Sequence, residues 1–89
     1  MAQQQSVKHS VTYYYENGWV SLELRSYDKK NWVWDLMGEH RKRYGGTKIT
    51  FKDGEHIIDY KSKKKAFEEG NECAMQNGFL PVMYDPDKH

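Results

Sequence analysis

The sequence predicts an α+β domain: a mostly antiparallel β-sheet of four to six strands, with a single helix over about 63–77 packed on one face. Three observations predict it. Asn17-Gly18 and Asp53-Gly54 each stand between runs rich in β-branched and aromatic residues, and such pairs suit the positive φ angles of a two-residue hairpin turn. From Ser62 onward the small and apolar positions Ala66, Phe67, Gly70, Cys73 and Ala74 recur at helical spacing, up to Gly78.

Each element has its own warrant. Val11–Tyr15 is β-branched and aromatic, so it reads as a strand. Tyr13 and Tyr15 share one face and Tyr14 takes the other. After the first turn, Val20, Leu22 and Leu24 alternate with Ser21, Glu23 and Arg25, the period of a strand with one buried face. Asp28-Lys29-Lys30-Asn31 is a turn. Residues 32–44 admit two readings. With Trp32, Trp34 and Leu36 on one side, 32–37 is a strand; with Val33, Leu36, Met37 and His40 on one side it opens a helix. The strand is favoured, because β-branched and aromatic residues crowd its start and Gly38 costs a helix about 1 kcal/mol.

Glu39–Gly46 reads as a charged loop with a flexible Gly-Gly end. Thr47–Lys52, with Ile49 and Phe51 inward, and Glu55–Tyr60, with Ile57 or Ile58 inward, form the second hairpin. Ser62 is the N-cap of the helix and Gly78 its C-terminal glycine. Four of the five inward helix residues are small, which lets the helix approach a sheet filled with Trp and Tyr. Gly70 is therefore assigned to close packing. Phe79–Tyr84 is a short final strand, confined to an edge by Pro81, or a packed extension. The chain is one domain over 1–89, with 1–9 and 85–89 as flexible tails.

Composition bounds the function. Apolar residues are 37% of the chain and aromatic residues 15%, so large rings must supply much of the core. A single cysteine, Cys73, allows no internal disulfide and fits a reducing compartment, so the expected location is cytoplasmic. No apolar run approaches the ~18 residues of a membrane helix. The net charge of +1 conceals a split: residues 40–65 carry nine Lys/Arg against three acids, a local +6, and the remainder carries five against ten, or −5.

The candidate contact residues follow from that block and from the aromatic excess. Arg41, Lys42, Arg43 and Tyr44 combine forked cations with a ring, a composition enriched at interfaces. Lys61, Lys63, Lys64 and Lys65 surround a helix N-terminus, where the macrodipole favours acids rather than bases. An anion or an acidic partner would relieve that conflict; a solvated charged turn is the plainer reading. Tyr14 and Trp19, with Tyr27, are candidates for an exposed stacking platform, against ordinary cross-strand packing.

The histidines His9, His40, His56 and His89 show no ligand spacing, so no metal or cofactor is expected. Cys73 falls on the inward helix face and reads as an inert core thiol. No nucleophile elbow, phosphate-binding loop or dinucleotide fingerprint occurs, and a chain this short leaves little room for a pocket of ~300 Å³ or more. An enzyme is not expected.

The run Asp59-Tyr60-Lys61-Ser62-Lys63-Lys64-Lys65-Ala66-Phe67, entering a helix after several strands, resembles the arm-type DNA-binding domain of phage integrases over residues 19–77. That resemblance implies a three-stranded sheet in the major groove, backed by a helix. The additional 47–60 hairpin and the acidic remainder depart from the pattern, and no residue role is carried over. In size and style the chain also resembles phage accessory proteins that inhibit host machinery, including anti-CRISPR proteins. The leading expectation is a non-enzymatic protein-binding module, an inhibitor or adaptor, whose partner presents an acidic or nucleic-acid-binding surface. Direct binding of DNA or RNA through residues 40–65 is the alternative, and a structural or assembly subunit a third. No membrane contact is expected, and an exposed edge strand is compatible with a homodimer.

Overall fold

The computed structural model describes residues 9–16, 19–58 and 61–88, and for 49–52 and 55–58 the backbone alone. Four strands, β1 (His9–Tyr14), β2 (Ser21–Ser26), β3 (Val33–Met37) and β4 (Arg43–Gly46), form an antiparallel sheet in the order β1-β2-β3-β4. One helix, α1 (Lys63–Gln76), lies across a single face and packs on β2, β3 and β4. The domain is α+β, as the alternation and the helical spacing predict.

The buried face follows the period-two reading. Val11 and Tyr13 of β1, Leu22 and Leu24 of β2, and Trp34 and Leu36 of β3 all point toward the helix and are buried. Tyr15 and Trp32, just beyond the strand ends, join them. Residues 32–37 are therefore strand, and the helical alternative is excluded. Asn17 and Gly18 lie outside the described residues; beside them the Tyr15 N–H donates to the Val20 carbonyl at 3.1 Å, closing β1 onto β2.

The helix meets this face through Ala66, Phe67, Gly70 and Ala74, all buried, with Cys73 half-buried. Ser62 caps its N-terminus by accepting from the Lys65 N–H. Past its end Gly78 adopts φ 89°, the left-handed geometry that favours glycine.

One expectation is corrected. Glu39–Gly46 is not a loop with a flexible end. Residues 39–42 form a tight turn closed by the Lys42 N–H donating to the Glu39 carbonyl at 3.2 Å, and Arg43–Gly46 is the fourth strand. A Cβ on Gly45 would stand 2.8 Å from Cys73 Sγ and 3.1 Å from Trp34 Cη2, so this edge lies against the helix and the tryptophan only because the residue has no side chain. The same lack of side chains removes the alternation by which a strand is read. The second hairpin, β5 (Ile49–Lys52) and β6 (Glu55–Ile58), forms a two-stranded sheet of its own beside the four-stranded one. Their turn is as expected, with Asp53 at φ 52° and Gly54 at φ 83°. The inward positions assigned to Ile49, Phe51, Ile57 and Ile58 lie outside the described side chains, as do residues 1–8 of the expected 1–9 tail; His9, its last residue, is instead the first of β1, paired with Ser26.

The last segment is an extension, not a strand. Phe79, Val82 and Tyr84 pack against the core. Asn71 fixes the segment by accepting from the Val82 N–H at 3.2 Å and donating to its carbonyl at 3.4 Å. Residues 85–88, read as a tail, are held too: the Tyr13 hydroxyl accepts from the Asp85 N–H at 3.1 Å, and Lys63 Nζ donates to the Lys88 carbonyl at 2.9 Å.

Candidate functional site

The sequence-level candidates divide between the two ends of β3. The Gly38 N–H donates to the Lys42 carbonyl at 2.7 Å and starts the 39–43 turn at one end. Trp32 bridges to Lys61 at the other. Six residue steps along the strand lead from Trp32 to Gly38, roughly 20 Å. The candidate cations Arg41, Lys42 and Arg43 thus stand apart from Lys61, Lys63, Lys64 and Lys65 rather than forming one patch with them.

At the first end a groove of about 860 Å³ is lined by Tyr14, Tyr15, Glu16, Trp19, Val20, Ser21, Met37, Gly38 and Glu39. Its form follows from strand register. Tyr14, Ser21 and Met37 are cross-strand partners in one row and stand on the face opposite the helix. The small Ser21 between two long side chains leaves a trough. Trp19 stands two residues before Ser21 along the chain and closes the end. Tyr14 is 75% exposed and Trp19 82%, whereas Tyr13, Tyr15, Trp32 and Trp34 are buried. A groove of this size exceeds what the chain length led us to expect; it is open because two large rings project outward instead of filling the core. Tyr27, although exposed, follows the far end of β2 and is not part of it.

The neighbouring turn is conformationally unusual. His40 at φ 57° and Arg41 at φ 61° are consecutive non-glycine residues in the left-handed region, a geometry held only where surroundings enforce it. Both are exposed. The rest of the run is engaged within the chain. Arg43 pairs with Asp35 at 3.2 Å, and Arg25 contacts the same carboxylate from the other side. Lys42 Nζ lies 4.8 Å from the Tyr44 ring centre, and that ring packs edge-on against Phe79 with centroids 5.2 Å apart. Tyr44 is consequently half-buried on the helix side and is not a free stacking surface.

At the opposite end, Lys29, Lys30, Lys63, His9, Ser10, Val11, Trp32 and Ser62 line a cleft of about 490 Å³. The ammonium groups of the helix start do not converge there. Lys63 reaches the Pro86 and Lys88 carbonyls and lies over Trp32, Lys65 is 3.9 Å from Glu68, and Lys61 is 3.9 Å from Glu69. Lys64 is exposed. Lys29 and Lys30 join the cleft from the 27–31 turn, a proximity that sequence spacing does not reveal because it depends on the sheet bringing that turn beside the helix.

The thiol of Cys73 contacts the Tyr44 carbonyl at 3.7 Å, and burial raises its pKa, which makes it a poor nucleophile. Burial, with a smaller contribution from Cys73, pushes the Tyr15 hydroxyl up to about 12. Among the described residues no three His, Cys, Asp or Glu side chains are grouped to hold a metal, and no helix is long and apolar enough to cross a membrane. No protein-family model, curated protein or solved structure matches the chain.

Proposed function

We propose that this chain is a non-catalytic protein-binding module, acting as a small inhibitor or adaptor, and that it holds its partner in the Tyr14–Trp19 groove. One observation carries the reading: the two rings most suited to anchoring an interface project together at one groove, whereas the other described aromatics, Tyr27 apart, are packed on the core. Exposing them costs solvation that a partner would recover. The strained His40-Arg41 turn adjoins the groove through Glu39 and extends the contact surface with a guanidinium. The open sheet face is less suited to nucleic acid, because Asp35 and Glu23 together balance Arg25 and Arg43 there.

The test compares the wild-type chain with a Tyr14→Ala/Trp19→Ala variant in affinity capture from nuclease-treated lysate. Both side chains are exposed, so the variant should melt within about 1 kcal/mol of wild type. A protein retained by wild type and lost by the variant is the expected result. Equal retention by both would move the interface elsewhere.

A second reading, direct binding of nucleic acid, has its support in the cleft of Lys29, Lys30 and Lys63. Phosphate contacts there would give an affinity falling steeply with salt. Lys29→Ala/Lys30→Ala should then flatten that dependence, and Arg41→Ala should not.

A further inference from the structure

The groove is aromatic but its rim is acidic. Glu16 and Glu39 line it beside Tyr14 and Trp19, and among the described residues no Lys, Arg or His lines it. Both carboxylates lie at the surface; the Glu39 side chain is 63% exposed and its contact with His40 is a distant 3.8 Å. The cations that follow in sequence do not neutralise the rim from within. Arg43 is clamped to Asp35, Lys42 is laid over Tyr44, and Arg41, exposed in the adjoining turn, is not among the residues that line the groove.

Exposed ring faces next to carboxylates, around a floor as small as Ser21 and Gly38, make a particular kind of receptor. The rings attract a cation through their negative faces and accept an aliphatic stem along their surface. The carboxylates then meet the charged head at the rim. A neutral apolar side chain would gain the rings but leave two carboxylates partly desolvated, and an acidic one would be repelled. We infer that the groove takes an arginine or lysine side chain from an exposed segment of a partner protein, with its stem on Tyr14 and Trp19 and its head at Glu16 and Glu39. This rests on the groove being the contact surface and specifies what enters it. A protein segment that otherwise contacts phosphate groups has this chemistry.

A library of random peptides displayed on phage, selected on the full chain and counter-selected on the Tyr14→Ala/Trp19→Ala variant, tests both layers. The expected outcome is a set of peptides centred on Arg or Lys. Replacing that residue by citrulline or norleucine should weaken binding about fivefold, and so should Glu16→Gln/Glu39→Gln in the protein, with its melting temperature unchanged. Groove-dependent peptides that lack a cation, or that bind the Gln variant equally well, would overturn the cation inference and leave the protein-binding reading standing. A selection that yields no peptide dependent on Tyr14 and Trp19 would overturn both.

Discussion

Gly70 shows how one residue sets the separation of helix and sheet. A Cβ there would overlap Leu22 Cδ1 and approach Trp34 Cε3 at 3.1 Å. Leu22 has no exposed surface to move into. Gly70→Ala should gain about 1 kcal/mol of helix propensity and lose about 1–3 kcal/mol to overpacking. Net destabilisation in urea unfolding is the expected result, and a stabilised variant would show that the interface has slack. At the far end of β2, buried Ser26 and exposed Asp28 organise the turn. Ser26 Oγ donates to the Asn31 carbonyl at 2.6 Å, and Asp28 accepts from the N–H groups of Asn31 and Lys30. These bonds, led by the Asn31 N–H, hold the Asp28 carboxyl well below the usual carboxylate range. A folded-state pKa below the unfolded one gives stability that is present above about pH 4 and lost as pH falls through the folded value. The advantage of wild type over Asp28→Asn in melting temperature should therefore be full at neutral pH and shrink in acid. An offset that does not vary with pH would remove the charge from the explanation.

Among the elements, the helix and the C-terminal extension act as one layer. Asn71 on α1 accepts from the Tyr15 hydroxyl at 2.9 Å while also holding Val82, so strand β1, helix and extension share one side-chain amide. Asn71→Ala should cost about 2–3 kcal/mol, from several lost bonds and the unpaired Tyr15 hydroxyl. It should also speed hydrogen exchange at the Val82 amide beyond the global loss. Global destabilisation without that local excess would mean that Phe79 and Tyr84 alone hold the extension. Strand β4 makes the complementary point. Its two glycines carry no periodic signal, and the strand became evident only from its pairing with β3 and its fit against Cys73 and Trp34.

For the whole molecule, the sequence by itself determined the class, the buried face, and the turns at Asp28–Asn31 and Asp53-Gly54. Alternation in β1, β2 and β3 and the helical spacing from Ala66 to Ala74 are local patterns, and local patterns survive into the fold when one face must be buried. The outward position of Tyr14 was legible for the same reason. Tertiary structure alone decided which functional side chains meet. It parted Arg41, Lys42 and Arg43 from Lys61, Lys63, Lys64 and Lys65, turned Tyr44 onto Phe79 and Lys63 onto the Pro86 and Lys88 carbonyls, and spent Arg43 on Asp35. It also placed Met37 and Glu39 beside Tyr14 and Trp19, although about twenty residues separate them in the chain. The physical reason is range. Periodicity reports which face of its own element a residue occupies, whereas ion pairs, ring contacts and grooves depend on strand register and helix position, which are fixed only when the core closes.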